Sequence, residues 1–236
     1  MKPVTKAFLL AAGMGTRLRP LTETIPKCLV PIKGQSLCDY WFKSCERHGI
    51  KHVLMNTHYL AEQVRAHVGR LRMPLEIQLF HEPELLGSAG TVRANAAYVQ
   101  GEDAFFVIYG DNLSAIDLRA MAEFHQAHEG LLTMALFHAA NPTECGMATL
   151  AADGRIVSFE EKPKTPKSDW ANAGVYVCST DIIQDIPAKP VADLGFDVLP
   201  KLAGKMYGFK LDCFHLDIGS PKSYQEAQLV ADSSLL

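Results

Sequence analysis

Strand and helix patterns alternate along the first 140 residues, and this alternation restricts the fold more than any other feature of the chain. Residues 4–11 read as a buried strand, 37–48 as an amphipathic helix and 52–56 as a second strand. Spacing predicts a helix over 60–68, a strand over 75–80 and an alanine-rich helix over 88–99. Ala104–Tyr109 is apolar at almost every position, as a strand covered on both faces must be, and it stops at Gly110-Asp111-Asn112. A helix over 118–128 and a strand over 131–137 follow. A strand returning parallel to its predecessor needs a long crossover, usually a helix, so the series implies parallel βαβ units and an α/β sheet with helices on both faces.

After about Asn141 the texture changes. Residues 147–150 and 156–160 flank Asp153-Gly154, a hairpin signal, and another strand is predicted over 173–178. Ser220 is a suitable N-cap with Pro221 in the first helical position, and the final helix should reach about Val230. There is no internal repeat or linker in the 236 residues, so one domain is expected over 1–236. A net charge of −3 offers no basic field for nucleic acid. The N-terminus lacks the apolar core of a signal peptide and no run approaches a membrane span, which implies a cytoplasmic protein with no membrane partner. Cys28, Cys38, Cys45, Cys145, Cys178 and Cys213 show no C-x-x-C pairing and read as reduced structural thiols. His125 and His128, three apart on a predicted helix, read as a solvated face rather than a metal pair.

The first strand runs into Leu10-Ala11-Ala12-Gly13-Met14-Gly15-Thr16-Arg17. Glycines let backbone approach a ligand, and successive N–H groups in such a loop make an anion-binding concavity. Arg17, with Lys27 further on between Pro26 and Cys28, adds two cations of different reach, which suits a polyphosphate. The dinucleotide fingerprint would need a third glycine at Leu18, and a Walker loop would need Gly-Lys-Ser/Thr; neither is present here. Ligands of open α/β sheets gather beyond the carboxyl ends of strands, where Asp111 stands. A carboxylate there suits Mg²⁺, although Gly-Asp-Asn equally suits a turn. Asp217, before Ile218-Gly219-Ser220-Pro221, is a second candidate that could also cap the last helix.

Gly13-x-Gly15-Thr16-Arg17-Leu18-x-Pro20-Leu21-Thr22, followed by Pro26-Lys27, resembles the signature of the sugar-1-phosphate nucleotidyltransferases. Glu82 with Gly87-Ser88-Ala89-Gly90, Gly110-Asp111, Glu160-Glu161-Lys162-Pro163, Asn172-Ala173-Gly174-Val175-Tyr176 and Asp217-Ile218-Gly219-Ser220-Pro221 are similar to further motifs of that family, in the family's order, from Ala7 to about Ala231. The resemblance implies a nucleotide-diphospho-sugar transferase-like (Rossmann-like) mixed sheet. Residues up to about 140 would bind an NTP and about 141–236 a sugar 1-phosphate. The hexapeptide repeat of the left-handed β-helix that some relatives append is missing.

What the resemblance implies for the site is specific. Leu10 to Thr16, Arg17 and Lys27 would bind the nucleotide, the Gly13–Thr16 amides and Arg17 at its β- and γ-phosphates and Lys27 at the phosphate of the reacting centre. Glu82, Gly87, Ser88, Ala89 and Gly90 would meet the base, Glu82 accepting from an amino group; Ser88 departs from the commoner threonine. Asp111 and Asp217 would hold Mg²⁺. Glu161 would contact sugar hydroxyls and Lys162 the sugar phosphate, with Gly146, Asn172 and Gly174 beside them. Arg17, Lys27, Asp111, Lys162 and Asp217 would then carry the transfer.

The implied reaction joins an NTP and a sugar 1-phosphate into an NDP-sugar, a precursor of cell-surface polysaccharide, with release of pyrophosphate. GTP and a manno-type hexose or heptose are favoured over uridylyl, cytidylyl or thymidylyl transfer to another sugar. A sugar phosphate is already largely dianionic, its second pKa being about 6, so no general base is required. A glycosyltransferase would usually carry Asp-x-Asp where Gly110-Asp111-Asn112 stands, and a non-catalytic sensing subunit would usually lose charged phosphate ligands, none of which is missing. Oligomeric state, a homo-oligomer included, stays open.

Overall fold

The computed structural model describes residues 2–230, so Ala231, where the family likeness ends, lies outside the described residues. In chain order the strands and helices are β1 (Lys6–Leu10), β2 (Pro31–Ile32), β3 (Gln35–Ser36), α1 (Leu37–Arg47), β4 (His52–Thr57), α2 (Ala61–Val68), β5 (Glu76–His81), α3 (Ser88–Ala94) and β6 (Ala104–Tyr109). They continue with β7 (Asn112–Ser114), α4 (Leu118–Gln126), β8 (Leu132–His138), β9 (Gly146–Leu150), β10 (Arg155–Glu161), β11 (Trp170–Ser179), β12 (Met206–Lys210), β13 (His215–Asp217) and α5 (Pro221–Val230). Two compact units interleave along the chain. The first takes Thr5–Leu85, Ile108–Leu118 and the chain from Cys213; the second takes Leu86–Val107, Arg119–Asp212 and the residues before Thr5.

In the first unit, β5, β4 and β1 lie side by side and parallel, with Lys6 opposite His52 and His52 opposite Glu76. Ala7, Phe8 and Leu9 are buried, as are Val53, Leu54 and Met55, which is the continuous burial expected of parallel strands covered on both faces. A separate ribbon forms where β7 and β13 pair antiparallel, Asn112 opposite Asp217 and Leu113 opposite Leu216. Beneath it, Leu18, Ile32, Leu37, Leu113, Ile218 and Ala227 form one buried apolar cluster, and burying each larger member contributes roughly 1.5–3 kcal/mol.

The second unit holds the order β6-β11-β8-β12-β10-β9. β8 is parallel to β12 but antiparallel to β11, so the parallel series stops at α4 and the sheet is mixed. The predicted hairpin is β9–β10, with Gly154 at φ 83° in its turn. The predicted helix 88–99 breaks into α3 and a 3-10 turn, Ala96–Val99. Asn95 ends it, its side-chain amide donating to the Thr91 carbonyl (2.9 Å) and so competing with the helical pattern.

His125 corrects the sequence reading. It is buried, its Nδ1 3.0 Å from Thr133 Oγ1, and burial, aided by His128, pushes its pKa down to about 4. It is a neutral core histidine, not part of a solvated face. All six cysteines are free thiols, as read. Among the described residues no helix is long and apolar enough to cross a membrane.

Candidate active site

Four charged side chains from four separate segments meet in the first unit, each set beside a residue anchored in the apolar cluster or the core. Arg17 precedes buried Leu18 in a 3-10 turn, Asp217 precedes Ile218, and Asp111 stands two residues before Leu113. The β7–β13 register then puts the two aspartates side by side, closed by Ile218 N donating to the Asp111 carbonyl at 2.9 Å. Lys27 is only 8% exposed, and its Nζ lies 2.8 Å from Asp111 Oδ2. Gly15 makes room for it. At φ 64° this residue takes a left-handed turn, and a Cβ here would sit 3.0 Å from the Lys27 stem and from Thr22. Thr22 in turn donates its hydroxyl to the Gly15 carbonyl at 2.7 Å.

Charge balance in this cluster is tight. Packing of protein atoms around the Asp217 carboxyl raises its pKa, and the neighbouring Asp111 raises it further. Lys27, Arg17 and the Gly219 amide pull the other way. A Cβ at Gly219 would collide with Asp217 Oδ1 and lie 2.7 Å from an Arg17 guanidinium nitrogen, so this glycine lets both groups close over one spot. His215 adds no positive charge near neutrality, because burial pushes its pKa down to about 4 against the opposing pull of Asp111.

Glu82 is 1% exposed, and its Oε1 accepts from Asn56 Nδ2 at 2.9 Å, while Asn56 Oδ1 accepts from the Ala11 amide at 2.6 Å. The buried pair thus fixes the start of the Gly13–Thr16 loop from behind. Asn56 is a positioning residue that sequence reasoning missed; its only signal is a polar side chain inside an apolar strand.

The second unit carries the other predicted residues. Ala89 and Gly90 are buried, and both their amides donate to the Ala192 carbonyl at 3.0 Å, so these amides are used inside the protein rather than offered to a base. Ser88 donates to Asp193 Oδ2 at 2.9 Å and accepts from the Leu194 amide at 2.8 Å. Gly87 and Ser88 stay partly open.

Glu161, ending β10, lies opposite Gly146 in the β9 register. Its Oε2 lies between two glycines, 2.6 Å from where a Cβ would stand on either Gly146 or Gly195. Burial raises its pKa; Lys162 opposes and Asp193 adds to the rise. Lys162 is exposed and held in the left-handed region at φ 50° while its amide donates to the Cys145 carbonyl at 3.0 Å. A non-glycine residue in this region costs on the order of 1–3 kcal/mol, which the fixed strand ends offset. Asn172 spends its side chain inside β11, accepting from the Gly174 amide at 2.9 Å and donating to Tyr176 Oη at 2.6 Å. It shapes the bulge between Asn172 and Tyr176. Asp193 and Gly195 were not read from the sequence; Asp193 Oδ1 accepts from the Gly195 and Phe196 amides at 2.8 and 3.2 Å and so fixes the loop against Glu161.

The sequence profile of the family described as Nucleotidyl transferase matches residues 6–233. The chain belongs to this family. A mannose-1-phosphate guanylyltransferase catalytic subunit beta from Danio rerio is 33% identical over 93% of the chain, and a mannose-1-phosphate guanylyltransferase from Mycobacterium tuberculosis is 31% identical over 92%. The chain spans 62% of the length of both relatives. A crystal structure of HddC from Yersinia pseudotuberculosis complexed with GMP-PN shares the fold at a TM-score of 0.79, with 24% identity, 96% of this chain and 99% of that one covered.

For a nucleotidyl transferase the first-unit cluster has a suitable donor set for a hard divalent cation. Two adjoining carboxylates, one with its pKa raised by the other's charge, gain from a positive charge placed between them, and oxygen donors are what Mg²⁺ takes.

Proposed function

We propose that this nucleotidyl transferase moves a nucleotidyl group from an NTP to the phosphate of a sugar 1-phosphate, giving an NDP-sugar and pyrophosphate. GTP and a manno-configured hexose or heptose 1-phosphate are the favoured pair, supported by the guanylyltransferases among its relatives. The observation that carries the reading is the gathering of Arg17, Lys27, Asp111 and Asp217 in one unit.

The chemistry is positioning and charge stabilisation rather than proton transfer, since the attacking phosphate is already ionised. The Gly13–Thr16 amides and Arg17 hold the β- and γ-phosphates, the part that leaves as pyrophosphate. Lys27, preset by Asp111 and packed by Gly15 and Thr22, presents its ammonium to the phosphate at the reacting centre. Mg²⁺ held by Asp111 and Asp217 would neutralise phosphate oxygens and align the two substrates. Lys162 holds the sugar phosphate and Glu161 the sugar hydroxyls, with the Gly146 and Gly195 backbones fixing where that carboxylate lies. We place the reaction in the cytoplasm, supplying a polysaccharide precursor.

The test is pyrophosphate release across a matrix of four or five NTPs and a panel of sugar 1-phosphates, with Arg17→Ala and Lys27→Ala beside the wild type. Turnover should be highest with GTP and a manno-configured substrate. Each variant should lose about 10²–10³ in rate, the usual cost of removing a preorganised donor. Wild-type turnover in Arg17→Ala, or no pyrophosphate with any pair, would sink the proposal.

A further inference from the structure

A second group of ligand-type side chains lies in the first unit among residues the proposed reaction does not use. Cys38 and Asp39 open α1, and His67 sits in the last turn of α2. The Cys38 sulfur, an Asp39 carboxylate oxygen and a His67 ring nitrogen all lie within 4.8 Å of one another. His67 Nε2 is 2.7 Å from Asp39 Oδ1, and Cys38 Sγ is 3.8 Å from the same oxygen.

The geometry points to a zinc-class metal site formed by Cys38, Asp39 and His67, with water completing the coordination. One imidazole nitrogen, one carboxylate oxygen and one sulfur form a mixed donor set that a tetrahedral Zn²⁺ accepts, at about 2.0–2.3 Å from each. Ligands that distance from a common centre lie some 3–4 Å apart, and the observed spacings need only small side-chain adjustments to reach this. The ligands come from two helices, α1 and α2. Cys38 is buried, while Asp39 and His67 are partly open and provide the entry path. The donor set also separates this site from the Asp111–Asp217 pair, whose oxygen-only ligands suit a hard cation.

The experiment uses the full chain, stripped with a chelator under reducing conditions and titrated with Zn²⁺ against a chromophoric competitor in excess Mg²⁺, which occupies the carboxylate pair. Co²⁺ is then used as a spectroscopic substitute. One equivalent of Zn²⁺ should bind, the melting temperature should rise, and Co²⁺ should give a thiolate charge-transfer band. Cys38→Ser and His67→Gln should each lose more affinity than the roughly 10–100-fold that follows loss of an outer-shell partner. Asp217→Asn should keep the cobalt band. His67→Gln alters a partly open side chain outside the core, so it decides the matter if Cys38→Ser fails to fold. The assignment is overturned by the absence of stoichiometric binding, by binding that survives His67→Gln, or by a cobalt spectrum without the thiolate band.

Discussion

Gly195→Ala is the sharpest probe of the proposed sugar-phosphate pocket, because it adds one methyl group to a residue that touches no substrate in the proposed roles. The new Cβ would stand 2.6 Å from Glu161 Oε2 and 3.1 Å from its Cδ, against 3.4 Å for the start of ordinary contact. Asp193 Oδ1, at 3.2 Å, is also in the way. The Gly195 backbone cannot easily retreat, since its amide is bonded to Asp193 at 2.8 Å. The carboxylate must therefore shift by about 0.8 Å, away from the position that Gly146 and Gly195 jointly define. A misplacement near 1 Å can cost about 10²-fold, so a loss of roughly 10–100-fold in kcat/KM is expected, or about 1.4–2.7 kcal/mol. Steady-state kinetics with each substrate varied in turn should find it in the sugar 1-phosphate terms, with the NTP KM within about two-fold of wild type, since no phosphate ligand of the first unit is touched. Thermal melting serves as the fold control. A well-folded variant with unchanged sugar 1-phosphate kinetics would refute the placement of Glu161, and so would an equal loss in both substrates.

Other outcomes follow from the same geometry. The raised pKa of Asp217 means the native state holds this proton more tightly than the unfolded chain does, so stability falls as pH rises from the ordinary value of 3.8 through the raised one, with the full penalty present above it. Asp217→Asn should thus melt higher than wild type at pH 7 without metal, the gap closing in acid, while turnover collapses; a lower melting point would count against the charge crowding. Mg²⁺ should raise the melting temperature of the wild type and not of that variant, a contrast that differential scanning fluorimetry reads directly. Asn56→Ala removes the acceptor of the Ala11 amide and a donor to Glu82, a loss of roughly 1–3 kcal/mol. Its kinetic signature should be a raised NTP KM with the sugar 1-phosphate KM unchanged; the reverse pattern would exclude a role in fixing the first loop. Gly219→Ala should push Arg17 and Asp217 apart, lowering kcat and weakening the response to Mg²⁺ in titrations of turnover.

Much of the sheet could be read from the chain because parallel strands buried on both faces must be apolar throughout, as Ala104–Tyr109 is. The hairpin at Asp153-Gly154 was legible because its turn demands those residues. The turn at Gly15 was legible for a related reason: Gly15, Arg17 and Lys27 lie within one short span, and the steric need for Gly15 is local. The Asn56 partner of Glu82 was not legible, because a carboxylate next to a glycine-rich segment looks the same in sequence whatever it faces. His125 misled, since helical spacing does not say which face Thr133 covers.

The sequence by itself determined the class of the fold, the glycine-containing loop after the first strand and the residue types able to hold a cation. The tertiary structure alone decided which of them meet. Asp111 and Asp217 are adjacent only because two three-residue strands, far apart in the chain and too short to leave a periodic signal, pair in one register over a common apolar cluster. Whether a polar side chain serves a ligand or the protein depends on which partner packs against it. That partner is supplied by distant segments of chain, as Ala192 is for Ala89 and Gly90, and Gly195 for Glu161.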